Sequence, residues 1–422
     1  MTINKLRFSL QGLTFLDAVA PRPERTVELK RTPTPHLLLW AADDLAEVFR
    51  SERDMRLEHS DTLRPLVGST SLLFANGTRH TAYRQVIGPA LRGKQLNGHV
   101  PAIRAITEQA ADELAMRSSF AVPEWARRVT LRIIGRILLG DENSALLTRV
   151  SDLVEQILGT SWRTLRYRYL RPPTLVPSLW RAFLRDRDLL SEDLRSLRPT
   201  TVAPGCLVLA AELTTGNPPL GQLGGDELAD QLISLIFAGH ETTASAIAWT
   251  FYWLASHDQV RADLKAELAA SPADGSSAAE LPLLDAICRE SLRITPPATL
   301  AGNRTLITDG ELLSRPLARD TTLTPCIYLA HRQPDVYPRP EQFDPGRFLG
   351  RKWTGQHYLP FGGGTRRCLG ADLAMLEIRM VIAAALRRIE LGRPDPQVGT
   401  PHRRGPAMGP SPTLTLTARP CS

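Results

Sequence analysis

Apolar residues recur at three- and four-residue spacing in the runs Leu45 to Arg50, Thr78 to Arg92, Val100 to Met116, Trp125 to Leu139 and Leu146 to Leu158. Each run predicts a helix with one buried face. Ahead of them, Pro21, Pro23, Pro33 and Pro35 punctuate short apolar stretches, so residues 1–40 are expected to be irregular or stranded. Turn-forming residues crowd Arg171 to Pro177 and Pro199 to Gly225. From Asp226 to Ser256 there is no proline and one glycine, Gly239, which predicts a helix about 46 Å long. Its middle, Leu232 to Ala238, is apolar on nearly every face, the pattern of a helix inside a core. A further helix over Leu283 to Arg293 must stop before Pro296 and Pro297, because a residue preceding proline avoids the helical region. Strand and turn signals fill Asn303 to Pro345; Gly362, Gly363 and Gly364 make a loop; Leu369 to Arg388 reads as helix and Thr413 to Thr417 alternates as a strand. The pattern is mostly α with small β-sheets. Ala269 to Ala279 reads as a surface linker too short to separate domains.

Composition narrows the classes. The 422 residues are 43% hydrophobic and 23% charged, as in ordinary globular chains, which excludes disordered, collagen-like and coiled-coil proteins. Lysine plus arginine outnumber aspartate plus glutamate by 51 to 44, without a run of like charges. Nucleic-acid binding is therefore not expected, whereas a locally basic face for an acidic partner is. The five cysteines (Cys206, Cys288, Cys326, Cys368, Cys421) are scattered and form no Cys-x-x-Cys pair, which argues for reduced thiols and a cytoplasmic location. No stretch of 18 apolar residues occurs, and residues 1–23 carry Lys5, Arg7 and Asp17; neither a secretory leader nor a membrane anchor is expected.

Chemistry concentrates in two places. Phe361 to Gly370 (FGGGTRRCLG) sets Cys368 behind a glycine-rich loop and ahead of a predicted helix. Backbone N–H groups there lower a thiol's pKa and suit a thiolate metal ligand, and Phe361 could shield the sulfur; the alternative is a buried free cysteine in a turn. In the long helix, Ala238, Gly239, His240, Glu241, Thr242 and Thr243 break the apolar run. Glycine costs about 1 kcal/mol against alanine inside a helix and invites a local opening. Thr242 can bond the Ala238 carbonyl one turn back, and Glu241 adds an ionisable group. A packing notch is the alternative. Glu290 and Arg293, three apart, add only about 0.2–0.5 kcal/mol as a helix pair, and Glu-x-x-Arg recurs elsewhere in the chain. His80 and Arg84, four apart on one helix face, with Arg304 and Arg366, could serve an anionic ligand or be plain structural charges. His240, His331 and His357 have no metal-ligand spacing and read as core or loop histidines.

The spacing of Phe361, Gly364, Arg366, Cys368 and Gly370 resembles the haem-thiolate loop of the cytochromes P450, and Ala238 to Thr243 resembles that family's oxygen-activation motif. The resemblance runs from about residue 35 to the end. It implies a single domain over 1–422 with the triangular-prism fold and a smaller β-rich part built from N-terminal and C-terminal strands. It implies haem b ligated by Cys368, Glu241 and Thr242 as the proton-delivering pair, and Ala238 and Phe361 against the haem. The propionates would meet His80, Arg84, Arg304 and Arg366, and a structural cluster would join Glu290, Arg293 and Arg347. Arg347 falls in Pro345 to Phe348, where Gly346 replaces the family's usual glutamate. The activity implied is oxidation of a hydrophobic small molecule, a secondary metabolite, by a monomeric enzyme. Its electrons would come from a ferredoxin and an NAD(P)H-dependent ferredoxin reductase, with Arg79, Arg92 and Arg367 as docking cations. Substrate contacts would lie within Glu58 to Phe74, at Phe237 and Ala238, at Ala298 to Ala301 and near Gly405 to Met408. Two alternatives stay open: a haem protein without turnover that acts as a recruitment scaffold, and a peroxide-driven enzyme.

Overall fold

In the computed structural model, the described residues are 3–58, 63–140, 144–158, 177–196, 220–221, 223–272, 281–404 and 407–421. The turn-rich stretches before Pro177 and Leu220, most of the 269–279 linker, Cys206 and residues 405–406 lie outside them. The chain clusters into two compact units, Met1–Ser60 with Arg289–Leu369, and Asp61–Cys288 with Gly370–Ser422.

The first unit is built on a five-stranded sheet ordered Thr26–Lys30, His36–Leu39, Thr322–Pro325, Asn303–Leu306, Met55–Glu58. Only the second and third of these strands run parallel, with Leu38 opposite Thr324. At the far edge Leu57 lies opposite Arg304. Val27 and Leu38 face each other on one side of the sheet and Leu37 and Leu323 on the other, and all four are buried, so the middle of the sheet is covered on both faces. This corrects the sequence expectation: the N-terminal strands pair with the strands around residue 320, and the C-terminal strand belongs to the other unit. The first 40 residues are also not irregular throughout, for helices span Ile3–Gln11 and Leu13–Val19 ahead of the first proline. Gly12, with φ +52°, separates the two helices, and no proline breaks either before Pro21.

The second unit is organised by the helix Gly225–Ser256. It packs on helices Val122–Leu139, Pro177–Ser196 and Ala371–Leu386. Phe120, Trp125 and Phe251 meet edge to face at 5.6–5.7 Å, the preferred aromatic geometry. Near its start, Asp230 accepts from the Thr70 amide at 3.1 Å and the Thr70 hydroxyl at 2.6 Å, and pairs with Arg187. Gln231 adds a bond to the Leu72 amide at 2.8 Å, so polar groups buried on this helix are matched to segment 68–72. The C-terminal strand Thr415–Pro420 pairs with Ser119–Ala121 and Ile389–Leu391.

Candidate active site

The cysteine loop belongs to the first unit. The Cys368 amide donates to the Phe361 carbonyl at 2.8 Å, closing the loop, and Gly364–Arg366 forms one 3₁₀ turn inside it. Gly364 has φ +64°, and a Cβ there would lie 2.3 Å from a Glu52 oxygen; both conformation and space demand glycine. Cys368 is exposed, while Cys288 and Cys326 are buried. Burial pushes the Cys326 thiol up to about 12, which keeps it a thiol and leaves it unsuited to metal ligation. Phe361 is half-buried beside the loop.

In the same unit the three expected partners of the structural cluster come together. Arg293 donates to both oxygens of Glu290, at 2.6 and 2.8 Å, and both side chains are fully buried. Arg347 reaches Glu290 at 3.4 Å, and the Asp344 amide bonds the same carboxylate at 2.9 Å. Arg293 also donates to the His331 and Gln342 carbonyls. At Gly346, where the family's usual glutamate is absent, the backbone amide donates to Asp344 Oδ1 at 3.0 Å and caps the turn. A buried pair is tolerated only when its remaining donors and acceptors are satisfied, and here they are.

Arg304 is almost fully buried, and its five N–H donors all meet protein oxygens. Nε and Nη2 donate to Glu52 at 3.1 and 2.9 Å, Nη1 to the carbonyls of Ala301 and Gly302, and Nη2 to that of Gly363. Glu52 carried no signal in the sequence. Any contact of Arg304 with a propionate would require one of these bonds to exchange. Arg366 is half-buried and comes within 3.5 Å of the Leu57 carbonyl, and Arg367 is exposed. Ala298 to Ala301 are half-buried.

In the second unit the helix Gly225–Ser256 runs unbroken through Gly239, so the expected opening is not present. Instead Gly239 is a notch, where a Cβ would sit 3.0 Å from Ile134 Cδ1. Thr242 Oγ1 donates to the Ala238 carbonyl at 2.7 Å, as its spacing predicted. Ala238 and Thr242 are exposed, with Leu235, Gly239 and Ser245 half-buried, while their neighbours around the helix are buried. These positions fall three and four apart on one stripe. A helix otherwise sunk in a core thus leaves one stripe of mostly small side chains uncovered, which fits a broad apolar group lying along it. Phe237 is buried.

Glu241 faces away from that stripe into a charged cluster. Arg404 Nε donates to it at 2.9 Å, Arg404 also binds Glu155, and Arg127 lies 3.9 Å from Glu155. Burial alone would raise the Glu241 carboxyl; His240, Arg404 and Arg127 outweigh it and hold it below the usual carboxylate range. Arg404 was missed by sequence reading because it arrives on the hairpin His402–Arg404 with Ala407–Gly409. His240 is buried with neither ring nitrogen hydrogen-bonded, so it is a core histidine but not a satisfied one, and burial lowers its pKa.

His80 is buried and Arg84 half-buried on helix Gly77–Ile87. Arg79, expected as a docking cation, is paired with Glu227 and donates to the Leu220 carbonyl at 2.8 Å. Its charge is neutralised locally. Arg92 is exposed. Of the C-terminal substrate segment, Ala407 and Met408 are buried, Met408 accepting from Trp249 Nε1 at 3.2 Å. No helix among the described residues is long and apolar enough to cross a membrane.

The family model for cytochrome P450 matches residues 5–416. The chain is 32% identical over 340 residues to the putative cytochrome P450 135B1 of Mycobacterium bovis, covering 79% of this chain and 71% of that one. It is 30% identical over 361 residues to the putative cytochrome P450 137 of Mycobacterium tuberculosis, covering 82% and 72%. The fold is that of a cyanobacterial CYP120A1 solved with retinoic acid bound, at a TM-score of 0.84 and 22% identity over 98% of this chain and 96% of that one. The haem domain of cytochrome P450DA gives 0.79 at 20% identity, covering 97% and 93%. With these matches the chain belongs to the cytochrome P450 family, as a haem-thiolate monooxygenase.

Proposed function

We propose that this P450 hydroxylates or otherwise oxidises a hydrophobic secondary metabolite, drawing electrons from a ferredoxin and its NAD(P)H-dependent reductase. The observation that carries the proposal is the acid–alcohol pair on the long helix, with Thr242 exposed on the uncovered stripe and bonded to Ala238. Neither a scaffold without turnover nor a peroxide-driven enzyme needs that pair. Bound through Cys368, haem supplies the oxidising chemistry in which dioxygen is split and one oxygen atom enters the substrate. The protein's own groups do the rest. Because the Thr242 hydroxyl hydrogen is committed to Ala238, its oxygen is left to accept a hydrogen bond from whatever lies against the stripe. Glu241, buried and held ionised by Arg404, is the neighbouring ionisable group, and its part in proton delivery would need it to leave that ion pair. Arg84 and Arg366 would offer positive charge to the two propionates, and His80 would offer a ring N–H. Apolar Leu235 and Ala238 exclude water from the same stripe. Each compact unit is made of two separated chain segments, so no single cut divides them, which supports one catalytic domain.

The test is stoichiometric. Thr242→Ala should retain its haem while diverting electrons from product to hydrogen peroxide. Equal nicotinamide-to-product ratios in both proteins would overturn the assignment, and full turnover on hydrogen peroxide alone would favour the peroxide-driven enzyme.

A further inference from the structure

Glu52 lies on a 3₁₀ turn, Glu52–Asp54, directly before the strand Met55–Glu58. That strand puts Leu57 opposite Arg304, and the turn before it, rather than the strand register, carries the Glu52 carboxylate to the Arg304 guanidinium. The carboxylate is 5% exposed and both its oxygens are used. Oε1 takes the two Arg304 donors, while Oε2 accepts from the Thr365 amide at 2.5 Å and the Thr365 hydroxyl at 2.6 Å. Thr365 is three residues before Cys368. Arg304 in turn donates to the Gly363 carbonyl and lies over the Phe49 ring at 5.1 Å, and a Cβ on Gly363 would strike that ring at 2.4 Å. Three consecutive loop residues, Gly363, Gly364 and Thr365, are therefore gripped by one buried ion pair and the aromatic ring beneath it.

A pair that served stability alone could anchor anywhere in the unit. Here the contacts beyond the pair's own strand and turn fall on the loop that presents the cysteine. We propose that Glu52 is a positioning residue for the thiolate loop. Its carboxylate, kept in place by Arg304, fixes the turn Gly363 to Thr365 and through it the placement of Cys368. Charge-assisted bonds to backbone amides are among the stronger ones available, and a loop rich in glycine has most freedom to lose.

The test uses the full chain in haem-free and haem-loaded forms, with Glu52→Ala, Glu52→Gln and Thr365→Val. Hydrogen exchange over residues 361–368 of the haem-free protein should quicken by about 10-fold or more in Glu52→Ala, the size of one lost charge-assisted bond. Exchange elsewhere in the unit should move less. The haem-loaded variant should lose part of its thiolate-type reduced carbon monoxide band. Glu52→Gln keeps an acceptor for Thr365 and should recover some of both signals. Thr365→Val leaves the Glu52–Arg304 pair whole and should show a smaller change in the same direction, so it reports even if Glu52→Ala fails to fold. Two results would overturn the proposal. One is a lower melting temperature in the Glu52 variants with loop exchange and the carbon monoxide band unchanged in all three. The other is tighter haem retention in Glu52→Ala, which would mean that Glu52 competes with a propionate for Arg304.

Discussion

Two histidines, the buried His331 and the half-buried His36, make the stability of this protein depend on pH on the acid side. His331 Nε2 accepts from the Leu359 amide at 2.9 Å and its Nδ1 faces the Arg293 carbonyl at 3.2 Å, which fixes the neutral tautomer with the proton on Nδ1. Burial, then the nearby Arg293, lowers its pKa to about 3. His36, lowered to about 4 by burial and by Lys5 and Lys30, behaves alike. In the unfolded chain both take up a proton near 6.5. Stability from the neutral forms is therefore complete above pH 6.5 and drains away as pH falls towards 4. The slope approaches about 1.4 kcal/mol per pH unit for each histidine. Urea midpoints should fall from pH 6.5 to pH 5, and less so in His36→Gln; a flat profile over that range would contradict this. Glu241, with its pKa lowered, acts in the lower range, since its contribution fails only as pH drops through its folded pKa. At this scale the sequence was legible where partners are near in the chain, as Thr242 with Ala238 or Glu290 with Arg293. Arg347 became legible only through the family resemblance. Glu52 and Arg404 had no such signal, because each meets its partner across more than 150 residues and no local pattern encodes that meeting.

The long helix is the element most plainly written in the sequence, its bounds Gly225–Ser256 matching the proline-free apolar run. What the pattern could not supply was the meaning of Gly239, which depends on the helix laid against it. Since Ile134 Cδ1 and Cγ1 stand 3.0 and 3.1 Å from where a Cβ would be, Gly239→Ala should be nearly neutral. A longer branch has no room, so Gly239→Val should cost about 1–3 kcal/mol by overpacking, measurable by chemical denaturation. The hairpin carrying Arg404 makes a second prediction. Arg404→Leu leaves Glu241, 3% exposed, without its cation, and should cost about 3 kcal/mol. Adding Glu241→Gln should restore most of that; if the double variant is no better than the single, the pair is not the reason. Besides the two N-terminal helices, Pro177–Ser196 and Asp258–Ala269 went unpredicted. The latter buries only Leu264 and Leu268, too narrow a stripe to stand out, and the former is dense in arginine and aspartate.

At the scale of the whole molecule, the surplus of seven positive charges matters through the arginines that remain unneutralised. Arg92 and Arg367 are exposed, whereas Arg79 is spent on Glu227. With an acidic ferredoxin, charge reversal at Arg92 or Arg367 should slow the first electron transfer at low salt, and reversal at Arg79 should instead disturb local stability. Such steering fades as salt screens it. Stopped-flow reduction at several ionic strengths decides, and rates indifferent to both salt and charge would remove the basic docking face. The helical content was legible from periodicity. The division into two discontinuous units was not, since it depends on pairings between distant strands.

The parallel pairing of His36–Leu39 with Thr322–Pro325 also sets an order of events at the ribosome. A strand near the start of the chain must wait for one about 280 residues later, and at roughly 5–20 residues per second that is about 15–60 s of synthesis. During this time the first two strands can pair only with each other, leaving an unfilled edge of Leu37, Leu38 and Leu39, the kind of edge that invites aggregation. The sheet that carries Arg304 beside Glu52 is thus completed late, when about three quarters of the protein has been made. Slow-translating hosts prolong that exposed interval, and yield of soluble protein should respond to chaperone supply more than to the rate of haem delivery.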